Sequence, residues 1–186
     1  MFILYAVILG IIFGYITKGN LKYIVQRPLF WTGLVFVAFA IQLVIFSNIP
    51  FVSTLPKAII VVLHYVSYLC LLIFIIRNYK NLGICVIGIG IFLNALVIFL
   101  NGGHMPTIPE NLGNTSFGPS EELINQGVAV HNSAKMTSDT LLPFLGDIFY
   151  MPSWIPLSNV FSIGDIIIAV GICLYIAIHM HPVRKM

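Results

Sequence analysis

"LGICVIGIGIFLNALVIFLNGGHMP", residues 82–106, decides the fold. No residue from Leu82 to Leu100 is charged. A helix of that length, at about 1.5 Å per residue, matches a hydrocarbon core of about 30 Å. Gly102 and Gly103 then supply a helix end and a sharp exit, and Pro106 and Pro109 stiffen the chain beyond. The stretch reads as a membrane helix running into an ordered loop.

The rest of the chain agrees. Its 186 residues are 59% hydrophobic and only 8% charged, and mean hydropathy is +1.02. An ordinary soluble domain has about 25% charged residues, so that class is excluded. The expected fold is an all-α integral membrane protein with one domain over residues 1–186. Five transmembrane helices are expected, at about residues 2–17, 29–48, 58–76, 82–100 and 163–180. The interval 101–162 is then a long extracytoplasmic loop.

Charge sets the orientation. No Lys or Arg precedes the first span and no small-x-small pattern follows it, so it reads as a helix and not as a cleaved signal. Lys18, Lys22 and Arg27 follow that span and hold its end in the cytoplasm, leaving the amino terminus outside. Threading five spans puts Arg77, Lys80, Arg184 and Lys185 inside as well. Lys57, Lys135 and every acidic residue fall at the outer side. The net charge of +3 is spread in small groups along a membrane face, so no nucleic-acid partner is expected. The partners expected are the lipid bilayer itself and either another membrane protein or a second copy of the chain.

Local signals refine the elements. Gly10 and Gly14 form a GxxxG pair suited to close packing within the bundle. Pro28 fits the first turn of the second span, and Thr54 with Pro56 the start of the third. Gly83, Gly90, Asn94 and Asn101 share one small, polar helical face, which should look into the bundle. In the loop, Ser120 followed by Glu121 and Glu122 predicts a short surface helix. Leu141 to Tyr150 is too short to cross and is broken by Pro143 and Gly146, which predicts a re-entrant or interfacial segment. Tyr150 and Trp154 suit a membrane boundary. Cys70, Cys85 and Cys173 lie in predicted spans without CxxC spacing, so disulfides are not expected.

Polar groups gather near one end of these helices. Gln42, His64 and Asn94 each lie about 9 Å below the predicted outer surface. Asp165 opens the last span, and Asn101, His104 and Asp147 lie just above. Buried polar side chains are costly unless paired, so their clustering in one layer predicts an outward-facing pocket lined by Gln42, His64, Asn94, Asn101, His104, Asp147 and Asp165. Each has a structural alternative. Asp165 stands three residues after Ser162, the spacing of a capping box. Asp147 can end a turn, His64 can bond along its own helix to Ser67 and Tyr68, and Asn94 can join helices. His131 reads as a surface residue. His179 and His181 do not share a helix face and stand near Arg184 and Lys185, so no metal site is expected.

"NGGHMP", "LGDI" and "SIGD" (residues 101–106, 145–148 and 162–165) together resemble a family of small bacterial integral membrane proteins classed as a domain of unknown function. That resemblance implies a bacterial inner-membrane protein and supplies no activity or cofactor. The residues themselves favour a non-enzymatic component that binds a small molecule, lipid headgroup or partner protein in the outer pocket. A transporter or channel subunit and an intramembrane aspartyl hydrolase using Asp147 and Asp165 are the alternatives.

Overall fold

The computed structural model describes residues 2–47, 49–116, 118–130 and 132–182. Asn48, His131, Arg184 and Lys185, which figured in the expectations above, lie outside them. The chain is mostly helical. Helices α1 (Phe2–Ile16), α2 (Lys22–Val25), α3 (Gly33–Ile45), α4 (Pro50–Ser53), α5 (Lys57–Arg77) and α6 (Leu82–Leu100) come first. A folded loop follows, carrying β1 (Met105–Thr107), α7 (Pro109–Leu112), α8 (Glu121–Asn125), β2 (Ser133–Lys135), a 3-10 turn (Pro143–Leu145), β3 (Phe149–Tyr150) and β4 (Val160–Phe161). Helix α9 (Ile163–His179) closes the sequence of elements.

Among the described residues, two helices, α5 and α6, are long and apolar enough to cross a membrane, and only 22% and 33% of their apolar windows are buried. The core helix of a soluble protein would be mostly buried; these present bare hydrocarbon. Three shorter apolar helices, α1, α3 and α9, occupy the other predicted positions. Local geometry explains why α1 and α3 fall short. Thr17 turns its hydroxyl back onto the Phe13 and Gly14 carbonyls, and Lys18 adopts φ 64°, so α1 stops there. Trp31 sits at φ 59° and Asn78 clamps Phe30, so α3 starts at Gly33 and Pro28 is not in its first turn. Thr54 likewise does not cap α5: its hydroxyl bonds the Phe51 carbonyl of α4, and Pro56 is the residue before α5.

Helix α9 lies between α1 and α6, while α3 pairs with α5. The α6–α9 crossing is backbone against backbone. A Cβ on Gly83 would stand 2.6 Å from the Tyr175 Cα, and one on Gly171 2.6 Å from the Ile87 nitrogen; Gly90 and Gly164 meet in the same way. Gly83, Gly90 and Asn94 are buried there, so the small, polar face of α6 does look into the bundle. On α1, Gly10 lets the Cys173 backbone come close, and Gly14 makes room for the Met180 side chain. Contact between α5 and α6 is looser, and an apolar groove of about 440 Å³ opens between them, lined by Tyr65, Tyr68, Phe92 and Phe99 among others.

The loop is more ordered than its sequence signals. β1 and β2 pair in parallel, Met105 opposite Ser133 and Thr107 opposite Lys135, and Thr107 also bridges Asp147. β3 and β4 form an antiparallel pair with Phe149 opposite Phe161. The expected all-α chain is mostly helical, and among the described residues its cap adds two small two-stranded sheets. Val97, Ile98, Met105 and Leu145 form a core that fixes the cap to the end of α6. The predicted surface helix is α8, with Ser120 at its N-cap position; the Ser120 side chain makes no capping bond. Leu141 to Tyr150 folds as the 3-10 turn and β3, and Trp154 beyond it is 80% exposed.

Candidate functional site

Asp165 is held by a closed ring of hydrogen bonds. The Ser162 hydroxyl accepts from the Asp165 backbone at 3.0 Å and Asp165 Oδ2 accepts from the Ser162 backbone at 3.0 Å, which is the capping box that the SxxD spacing predicts. Asn94 joins the ring from α6: its Nδ2 donates to Asp165 Oδ1 at 2.9 Å, and its Oδ1 accepts from the Ser162 hydroxyl at 2.9 Å. Gly164 makes the approach possible, since a Cβ there would run into the Asn94 amide. Each Asp165 oxygen thus has a donor, and Asn94 is committed to joining two helices.

Asp147 is the opposite case. It follows Gly146, where a Cβ would meet the Pro106 carbonyl at 2.5 Å, so the cap packs tightly around this turn. The carboxyl is buried, and the bond from Thr107 Oγ1 to its Oδ2 is long, at 3.5 Å. Burial, reinforced by the negative charge of Asp165 and only partly offset by Thr107, pushes its pKa from 3.8 up to about 8. At neutral pH Asp147 is therefore mainly a neutral carboxylic acid, able to donate as well as accept.

Both carboxyls line one cavity of about 550 Å³. Its far wall is the first turns of α1, with Phe2, Ile3, Leu4 and Val7, and Ser133 and Asn159 add polar groups. Phe2 is fixed there by stacking on Phe161 at 4.4 Å and by a 3.0 Å bond from its nitrogen to Asn159 Oδ1. A pair of acidic groups thus faces an apolar wall.

The other predicted lining residues are placed elsewhere. Gln42 donates to the Ser67 hydroxyl at 2.9 Å, which donates in turn to the His64 carbonyl at 2.7 Å, tying α3 to α5. His64 is fully buried between the rings of Phe46 and Tyr68, with Nδ1 3.0 Å from the Gly103 carbonyl. That partner makes Nδ1 the protonated nitrogen; Nε2 has no partner among the described residues. Asn101 clamps the cap: its Nδ2 donates to the Leu141 carbonyl and its Oδ1 accepts from the Leu141 nitrogen, each at 2.9 Å. His104 shares with Asn101 a separate notch of about 170 Å³ beside Lys135 and Asp139. Burial lowers the His104 pKa, the Gly102 carbonyl resists, and Lys57 lowers it further.

The single seven-residue pocket thus resolves into two carboxyls on one cavity, a second notch, and helix-joining contacts. Sequence reasoning missed Thr107 and the α1 wall. It named Tyr68 only as a partner of His64, yet the Tyr68 phenol lies within electrostatic range of both aspartates. The His64/Tyr68 spacing, one helical turn apart, was the available signal.

No curated protein and no solved structure matches the chain. A family model does match, over residues 26–177, from before α3 to near the end of α9. The chain belongs to that family, described as a family of unknown function (DUF5317).

Proposed function

We propose that this chain is a single five-span domain of a bacterial inner membrane, with its amino terminus outside and its carboxyl end in the cytoplasm, that binds an amine-bearing amphiphile in the Asp147/Asp165 cavity. What supports the span count is that two long and three shorter apolar helices stand in the predicted order with large apolar side chains exposed along them. The shorter helices, α3 above all, fit a bilayer that thins locally or turns and flanking residues that complete the crossing. The observation that carries the binding reading is the cavity itself: two acidic groups on one side, Phe2, Ile3, Leu4 and Val7 on the other. A ligand with a donor-rich head and a hydrocarbon body satisfies both walls.

The hydrolase reading has less support, because both oxygens of Asp165 already accept hydrogen bonds from the fold. The transporter reading has less too, since α6 and α9 touch through backbone atoms and leave no path between them. Photolabelling tests the proposal. A diazirine-bearing long-chain primary amine, offered to the protein in lipid nanodiscs, should label the α1 segment from Phe2 to Val7. Labelling should rise severalfold as pH passes about 8 and Asp147 ionises, and Asp147→Asn should remove the rise. Equal labelling by an uncharged alkyl analogue, or a pH response untouched by the substitution, would refute it.

A further inference from the structure

The opposite end of the bundle carries a second cavity, of about 630 Å³, formed by the α2–α3 connection, the α5–α6 connection and the end of α9. Its charged lining is basic: Arg27, Arg77 and Lys80, with Asn78, Asn81 and His179 beside them. All six acidic residues of the chain lie in the 101–162 loop or at the start of α9, at the far ends of α6 and α9. The cationic groups therefore have no carboxylate side chain near them.

The cavity is built, not incidental. Asn78 is buried and clamps Phe30 from both sides, accepting from its nitrogen and donating to its carbonyl, each at 2.9 Å. That clamp sets the turn at Trp31, whose ring carries the Arg77 guanidinium at 4.5 Å from its centroid. A stacked guanidinium is held in place while its N–H edges stay free. Arg27 is anchored at one nitrogen, donating to the His181 carbonyl at 2.9 Å. Among the described residues, Arg77 and Lys80 have no hydrogen-bond or ion-pair partner. Asn81 and His179 are bonded to each other at 2.8 Å, and Leu29, Phe30, Leu82 and Ile178 give the cavity an apolar side.

We propose that this cavity binds a phosphate group, as carried by an anionic phospholipid of the adjoining leaflet or by free phosphate. Positioned but unneutralised guanidinium and ammonium groups match phosphate oxygens, and the apolar side matches the first carbons of an acyl glycerol. The proposal rests on the membrane reading above and is independent of the acidic cavity, so Asp147→Asn should leave it unchanged.

Native mass spectrometry of the full chain, released from nanodiscs of equal phosphatidylglycerol and phosphatidylcholine, tests it. The wild-type protein should retain phosphatidylglycerol preferentially. Lys80→Gln and Arg77→Gln should each lower that retention by about fivefold, and Lys57→Gln, at the other end of α5, should not. Lys80 is exposed and partnerless among the described residues, so its substitution leaves the fold intact even if Arg77→Gln disturbs the Trp31 turn. Displacement of the lipid by millimolar inorganic phosphate would identify the free anion as sufficient; retention against it would identify the lipid. Equal retention of both lipids, or an equal loss with Lys57→Gln, would overturn the proposal.

Discussion

Asp147 gives the protein a pH dependence of definite sign. Its carboxyl is held up near 8 in the fold, against 3.8 in an unsupported chain. Between those values the folded state binds the extra proton, so stability falls as pH rises from about 4 to about 8 and levels off above. Asp147→Asn should flatten that slope in unfolding temperatures measured across the range, and an unchanged slope would remove Asp147 as its source. His104 acts in the other direction, since its lowered pKa makes folding lose stability as pH falls below 6.5. The difference between wild type and Asp147→Asn isolates the carboxyl. Asn94 tests a different point. Asn94→Ala leaves the Ser162 hydroxyl proton without its acceptor and Asp165 Oδ1 without its donor, while the Ser162 oxygen still accepts from the Asp165 backbone, and should cost about 1–3 kcal/mol in denaturant unfolding. A loss well below that would mean the ring is not what joins α6 to α9 at this level.

At the scale of elements, the α6–α9 crossing depends on hydrogen atoms where other residues carry methyl groups. Gly83→Ala and Gly171→Ala each press a methyl against backbone that cannot yield, and should cost about 1–3 kcal/mol apiece. Gly33→Ala is the control, with nothing within 4 Å of the added atom, and should change stability by no more than about 0.5 kcal/mol. Equal effects at all three would contradict the crossing. Gly83 and Gly90 on α6 and the Ser162/Asp165 capping box were legible in the sequence because each signal is local and periodic; Gly171, on the other side of the crossing, was not singled out. The start of α3 was not, because Asn78, far along the chain, holds the turn that delays it. The pairing of β1 with β2 was equally hidden: three-residue strands carry no alternation, and their register comes from the cap folding over the end of α6. The acidic pair was named from its sequence, but its apolar wall on α1 exists only once α1 lies against α9.

The molecule as a whole is polarised. One end bears the cap, every acidic side chain and the Asp147/Asp165 cavity; the other bears Lys18 and Lys22 and the basic cavity lined by Arg27, Arg77 and Lys80. Apolar helix surface separates them. That separation acquires meaning if a bilayer lies between the two ends, because only then do the cavities face different leaflets and different ligands. Single cysteines at Lys57, Lys135 and Lys80, in a background lacking Cys70, Cys85 and Cys173, decide the matter in intact cells. A membrane-impermeant thiol reagent should label the first two and spare the third until the membrane is permeabilised. Labelling of all three without permeabilisation, or of Lys80 alone, would contradict the five-span arrangement and the placement of both cavities.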